Sequence, residues 1–458
     1  MKRLLGFFAA GLAALPVLAA GPVSAQTLEE TLVRAYANNP TLRAERAALR
    51  ATDEEVPQAL SNWRPTISAS GSAGWDVTDS TSSSSRPKSA DVTYPVSASL
   101  SISQSLYRGG RTRAAIDGAE NTVFAGRASL ADTEQAVLLS AATAYADVVR
   151  DQAVLELNLN NERVLQRQLE ATGDRFRVGE VTRTDVSQAE SRLSRARADR
   201  ISSEGSLIDS RASYENVVGE PPGVLRPAQP LEDLPDSLDS AISVAKANNY
   251  SVIEARYTED VAKNSVDEIE GELLPTVSLS GSLSRSYEAS NRDSESDSAS
   301  ITASISIPLY SSGSVTSRVR QAKQVVFQRR DEYSQAVRTA VEDVTSAWQV
   351  LQTAKAQISA FSSAVQAAEI ALEGVREEAN VGSRTVLDVL DAEQELLDAR
   401  VNLVTAQRDE LVATYQLRQA IGALTAAKLG LPVEIYDVEK HYRDVRGKWW
   451  GLEVKDGE

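Results

Sequence analysis

Val96-Ser97-Ala98-Ser99-Leu100-Ser101-Ile102-Ser103-Gln104-Ser105-Leu106 alternates apolar and small polar residues along its whole length. A period of two puts one set of side chains on each face of a strand, so one face is apolar and the other carries hydroxyls. Thr66 to Ser70, Val277 to Ser280 and Ile301 to Leu309 follow the same rule. Such runs, at about ten residues and tilted, are how a β-barrel strand crosses a bilayer with lipid on one side and water on the other. The competing reading is a soluble sandwich with a serine-rich surface, but four strands make a poor sandwich core.

Working outward, the strands belong to an internal repeat. Asn38-Asn39 matches Asn248-Asn249, Pro65-Thr66-Ile67-Ser68 matches Pro275-Thr276-Val277-Ser278, and Gly71 matches Gly281, all at an offset of 210. From Leu106-Tyr107 and Leu309-Tyr310 onward the offset is 203, and it carries Gly110 to Gly313, Tyr145 to Trp348, Val178-Gly179 to Val381-Gly382 and Gly219 to Gly422. The first copy therefore holds seven extra residues between Trp75 and Leu106, in the serine-rich stretch around Ser80 to Ser85. An insertion is tolerated best in an exposed loop, so Asp76 to Asp91 and its counterpart Arg285 to Ala299 are expected as exposed loops. The expected division is 1–25, 26–230 for the first repeat, 231–430 for the second and 431–458 as a tail.

Each repeat reads as helix, strand, loop, strand, long helix, turn, long helix. Arg111 to about Thr172 has no proline and only Gly118 and Gly126, near its start; it would span on the order of 90 Å. Its mate runs from Val315 to about Asn380, with Val337, Val344, Leu351, Ile358, Val365 and Leu372 seven apart, and Leu390, Leu397, Val404 and Leu411 continue the pattern after the turn. Sustained heptads predict coiled-coil packing. Asp185 to Val218 is much shorter than the rod before it, and the helix from about Thr41 to Leu60 could stack on its end to make up the length. Four strands cannot close a barrel, and open edges are not tolerated in lipid, so copies must associate. Two copies give eight strands with a filled interior, whereas three give twelve and a lumen.

Composition agrees with a secreted, non-enzymatic chain. Lys2 and Arg3 precede the apolar run Leu4 to Ala20, and Val23-Ser24-Ala25 is a small-residue cleavage site, so 1–25 reads as a signal peptide and Gln26 as the mature start. The net charge of −16 becomes about −18 without Lys2 and Arg3, which argues against a nucleic-acid partner. With His441 as the one histidine and no cysteine, most nucleophilic, acid–base and transition-metal chemistry is excluded, and so is lipidation through cysteine. No enzyme activity, cofactor or metal is expected.

Three segments carry a resemblance to a known family: Val381-Gly382-Ser383-Arg384-Thr385-Val386-Leu387-Asp388-Val389-Leu390-Asp391-Ala392, its counterpart Val178 to Val186, and Leu106-Tyr107-Arg108-Gly109-Gly110. With the duplication, the chain from Thr27 to about Leu431 resembles the TolC family of outer-membrane efflux proteins. The resemblance implies a mixed α and β membrane protein. It would be a homotrimer whose twelve-stranded outer-membrane β-barrel, four strands per chain, continues as a long periplasmic α-helical barrel. It also implies a periplasmic adaptor (membrane fusion) protein and an inner-membrane ABC or RND transporter as partners in a tripartite export system, with outer-membrane lipid around the barrel. The turns would form a closed periplasmic tip. There Arg384 latches onto the neighbouring turn through Thr184 and Asp185, and Asp388 and Asp391 line the entrance. Asp388 and Asp391 are three apart and share a helix face; alone they would read as a solvated face. Ala379 stands where the family commonly has a tyrosine, so one latch contact is expected to be missing.

Among remaining features, Trp63 and Trp75 flank the first strand and read as an interfacial belt. Arg192, Arg195, Arg197 and Arg200 with Asp199 read as a solvated helix face. His441 reads as exposed and inert, and Trp449-Trp450 as either packed near the barrel or unplaced. The functional expectation is a passive export duct with a tip gate. The missing anchor cysteine and the tip motif lean toward type I protein secretion over drug efflux. The alternative is a periplasmic adaptor or structural coiled coil without a pore.

Overall fold

The computed structural model describes residues 26–78, 91–289 and 291–454. The expected signal peptide and the Ser80 to Ser85 insertion lie outside the described residues. In chain order, helices α1 (Leu28–Asn38), α2 (Pro40–Asp53) and α3 (Glu55–Ser61) lead into strands β1 (Thr66–Ala73), β2 (Asp76–Thr78), β3 (Asp91–Thr93) and β4 (Val96–Arg108). Helices α4 (Arg111–Arg177) and α5 (Arg183–Val218) complete the first half. The second half holds α6 (Leu238–Asn248), α7 (Tyr250–Glu270), β5 (Thr276–Tyr287), β6 (Glu295–Ser306), α8 (Ser314–Asn380) and α9 (Val386–Ala420), and the tail adds α10 (Ala426–Leu429) and α11 (Lys440–Arg446).

The four long strands form one antiparallel sheet in the order β1-β4-β5-β6. Ile67 lies opposite Ile102, Leu100 opposite Leu283 and Gly281 opposite Ile301. Facing pairs share a face, so the apolar residues line one surface of the sheet and the serines the other. The hydroxyls of Ser68 and Ser101, Ser70 and Ser99, and Ser284 and Ser298 sit 2.7 Å apart. Isoleucines and leucines of the apolar face are exposed in the single chain. Among the described residues, neither β1 nor β6 has a partner on its outer edge.

The strands run further than the alternation suggested. The stretch Arg285 to Ala299, expected as a loop, is strand up to Tyr287 and again from Glu295, and Arg285 pairs across the hairpin with Glu295 and Asp297. Alternation marks burial, and a strand tip in water need not alternate. Conversely, β6 ends at Ser306, short of the expected Leu309, because Pro308 has no N–H to give a ladder. The counterpart strand β4 continues through a bulge between Ser105 and Tyr107.

Helices α4 and α8 each have 67 residues, about 100 Å of rod, and no helix among the described residues is long and apolar enough to cross a membrane. In the heptad rows Val344, Leu351, Leu372, Leu390, Leu397 and Leu411 are buried. The shorter rods are completed by stacking, as expected, and an asparagine makes each joint. The Asn39 amide donates to the Val217 carbonyl at the end of α5 (2.9 Å), while its Oδ1 accepts from Thr41 N–H (2.9 Å) and caps α2. Asn249 likewise donates to the Ala420 carbonyl (3.1 Å) and caps α7 through Ser251 N–H (3.0 Å). Gly219 and Gly422 turn the chain out at these joints with φ of +87° and +71°. The additional short helices α1 and α6 were not expected. They pack into the principal core, where Leu32, Tyr36, Leu138, Tyr145, Tyr214 and Leu424 are buried, and into a second cluster around Ala241, Val344 and Leu417.

Candidate functional site: the hairpin tip

The turns joining α4 to α5 and α8 to α9 lie far along the rods from the sheet and have the same construction. Gly179 and Gly382, at φ of +84° and +80°, end the long helices, a conformation glycine takes without steric cost. Three residues later a threonine opens the next helix with a capping box. Asp185 Oδ2 accepts from Thr182 N–H (2.8 Å) while Asp185 N–H donates to Thr182 Oγ1 (3.3 Å). Asp388 Oδ2 accepts from Thr385 N–H (2.9 Å) and Thr385 Oγ1–H (2.8 Å), and Asp388 N–H returns a bond to Thr385 Oγ1 (3.3 Å). The Thr385 backbone and side-chain donors hold the Asp388 carboxyl below its ordinary value.

Between the turns lies a cleft of about 740 Å³, with Arg175, Thr182, Asp185, Arg376, Arg384 and Thr385 among its walls. Val386 and Leu390 of α9 pack with Leu165, Ala189 and Leu193 of the other hairpin, which fixes the two turns side by side. Of the expected residues, Arg384 and Asp185 share this cleft, but each bonds within its own turn. Arg384 Nε donates to Glu378 Oε2 in its own turn (2.8 Å). Asp185 and Asp388 are held in their caps, and Thr184 is exposed on the first turn of α5. Asp391 forms an ion pair with Arg192 of α5. Arg376 pairs with Glu393 across α8 and α9.

The arginine cluster is thus no simple solvated face: Arg192 reaches α9, and Arg197 and Arg200 reach Glu162 of α4 at 3.2 and 2.8 Å. Sequence reading missed Arg192, Glu378 and Arg376 as tip residues. The Thr-x-x-Asp spacing of the caps was legible, but was absorbed by the latch reading. His441 is also not inert, since its Nδ1 lies 3.1 Å from Oδ2 of Asp53, a carboxyl whose pKa burial raises. Among the described residues no group of His, Cys, Asp or Glu is placed to hold a metal ion. Charged side chains, helix caps and a cleft thus come together at this end of the rods.

A family model described as Outer membrane efflux protein matches residues 31–220 and 241–423. The chain belongs to the outer membrane efflux protein family. Within it, the chain is 36% identical over 442 residues to the outer membrane efflux protein BepC of Brucella suis biovar 1, covering 96% of this chain and 95% of that one. It is 30% identical over 434 residues to outer membrane protein TolC of Vibrio cholerae, covering 93% and 96%. Less similar relatives have names of two kinds, an alkaline protease secretion protein of Pseudomonas aeruginosa at 27% identity over 65% of this chain and an antibiotic efflux pump outer membrane protein of Pseudomonas putida at 23% over 86%. The fold matches the crystal structure of the Campylobacter jejuni CmeC outer membrane channel with a TM-score of 0.78 at 16% identity, covering 92% of this chain and 89% of that one. The TolC-family resemblance read from the tip motifs holds. This family membership makes the chain an outer-membrane protein with a periplasmic part.

Proposed function

We propose that three copies of this chain form an export duct: a closed twelve-stranded barrel in the outer membrane, continued through the periplasm by the paired rods. The observation that carries the reading is a four-stranded sheet with one apolar and one serine face and both edges unpaired. Lipid leaves no open edge unsatisfied, and three such sheets enclose a lumen. The exposed apolar residues Val325, Phe327, Val350 and Ile370 along α8 support the same association. Each chain is read as two copies of one unit. The apolar face meets lipid, with Trp63 and Trp75 at its two borders, and the hydroxyl face lines the lumen. A periplasmic adaptor and an inner-membrane ABC or RND transporter supply the cargo. The relatives' names include protease secretion and antibiotic efflux, and type I secretion is favoured here by the tip motif and the absent cysteine. The tip is the gate: Arg384 restrains it toward Thr184 and Asp185 of a neighbouring turn, and Asp388 and Asp391 set the charge of the entrance. No feature favours an adaptor without a pore.

Pseudo-symmetry specifies the test. Ser103 faces Ser280 between β4 and β5. Moved by the repeat offsets of 203 and 210, that pair becomes Ser306 opposite Ser70 of the next copy. The chain has no cysteine, so Ser306→Cys with Ser70→Cys should oxidise to a covalent trimer on a non-reducing gel. Uncross-linked monomers, or a ladder continuing past three copies, would defeat the proposal.

A further inference from the structure

We propose that the C-terminal segment Lys448–Val454 is a membrane anchor, seated among phospholipid headgroups on the periplasmic side of the outer membrane. This rests on the reading that the apolar face of the sheet meets lipid. The path of the tail carries it. From α11 onward the chain climbs the outside of the helices toward the sheet. His441 meets Asp53, then the Tyr442 hydroxyl donates to Glu120 (3.2 Å) and Arg446 pairs with Glu120 (2.7 Å). Arg64 Nη1 then donates to the Lys448 carbonyl (2.7 Å), and the Arg64 guanidinium lies 4.8 Å from the centre of the Trp449 ring. Two residues after Arg64, β1 begins. The tail is therefore tied to the rim where the apolar face starts.

Beyond that tie the side chains turn outward. Trp450 is 85% exposed, Leu452 101% and Val454 78%, and Trp449 and Trp63 beside them are also exposed. Several large apolar side chains left open to water along one short segment mark an interaction surface. Its chemistry fits a bilayer border. Tryptophan has an apolar body and one polar N–H and settles at headgroup level. Arg64 and Lys448 supply cations with long apolar stems, which can lie along apolar surface while their charged heads reach phosphate. The patch also continues the exposed Tyr107, Leu309 and Tyr310 at the same end of the sheet. The segment would thus fasten the belt of C-terminal helices to the membrane and fix the depth of the barrel.

Cysteine-free sequence makes the test direct. Leu452→Cys and Val454→Cys, each in the full chain, would carry a nitroxide label and be reconstituted in vesicles of phosphatidylethanolamine and phosphatidylglycerol. Collision rates with oxygen, which partitions into lipid, and with a nickel chelate, which stays in water, report immersion. Leu283→Cys on the apolar face and Glu434→Cys in the tail serve as lipid and water references. Both tail labels should show an oxygen-to-nickel ratio several-fold above that at Glu434 and below that at Leu283. Trp449→Ser with Trp450→Ser should bring the tail ratio down to the water value while leaving Leu283 unchanged. Tail labels that match Glu434 would overturn the anchor, and labels shielded from both reagents would place a second copy of the chain over the patch instead. A Leu283 label in water would overturn the barrel reading itself, and the anchor with it.

Discussion

Asp391 and Arg192 form an ion pair between α9 and α5 of one chain, which bears on what a ring of aspartates can do at a pore entrance. A carboxylate neutralised at contact distance adds little to the field along the axis, whereas closely spaced unpaired carboxylates focus it and attract cations. Asp388 keeps its charge, with its Oδ2 accepting from the Thr385 N–H and hydroxyl. In planar-bilayer recording, Asp388→Ala with Asp391→Ala should reduce cation preference and abolish block by multivalent cations from the periplasmic side. Arg192→Ala should do the reverse and strengthen both. Because an exposed ion pair is worth at most about 1 kcal/mol, Arg192→Ala should fold normally. Arg384→Ser, with or without Asp185→Ala, should raise single-channel conductance in the same recording. Unchanged selectivity in the double-aspartate variant would reduce these residues to helix caps and surface charge.

At the scale of elements, the rods depend on two joints of the same design and unequal crowding. Gly219 and Gly422 both have left-handed backbone, where a Cβ costs about 1–2 kcal/mol. Around Gly219 the nearest atom to an added methyl would be Asn38 Cβ at 3.7 Å, an ordinary contact. At Gly422 the methyl would run into the Asn248 carbonyl and Asn249 Cα, which are backbone and cannot swing away. Gly219→Ala should therefore cost only the backbone term, and Gly422→Ala distinctly more, in urea unfolding of the detergent-solubilised protein. Equal midpoints for the two variants would mean that the joints are not the close contacts described. Asn249→Ala should cost about 1–3 kcal/mol, since it strips a partner from the Ala420 carbonyl and from the α7 N-terminus together.

The whole molecule sets the orientation. The tip motifs and the turn between β5 and β6 stand at opposite ends of the rods and sheet, so in the proposed duct, with the tip in the periplasm, that turn would face outside the cell. Epitope tags placed between Ser80 and Ser85, or beside Asp293, should be reached by antibody on intact cells and should leave assembly intact. Tags detected only after the outer membrane is broken would reverse the orientation.

Local regularities were legible without a structure because they are properties of neighbouring residues. The alternation at Val96 to Leu106 marked a strand with two unlike faces. The heptads from Val337 to Leu372 marked a rod. The two fixed offsets paired the halves of the chain, including Asn39 with Asn249, although nothing in the spacing revealed that these asparagines join one helix to another. That role depends on which helix end arrives opposite them, as the partnership of Arg192 with Asp391 depends on how α5 lies against α9. His441 read as idle because its partner, Asp53, is 388 residues away and gains its effect from burial. Periodicity decides what each element is. Only the packing of distant elements decides which charges meet, which are neutralised, and which apolar side chains, such as Trp450, remain uncovered.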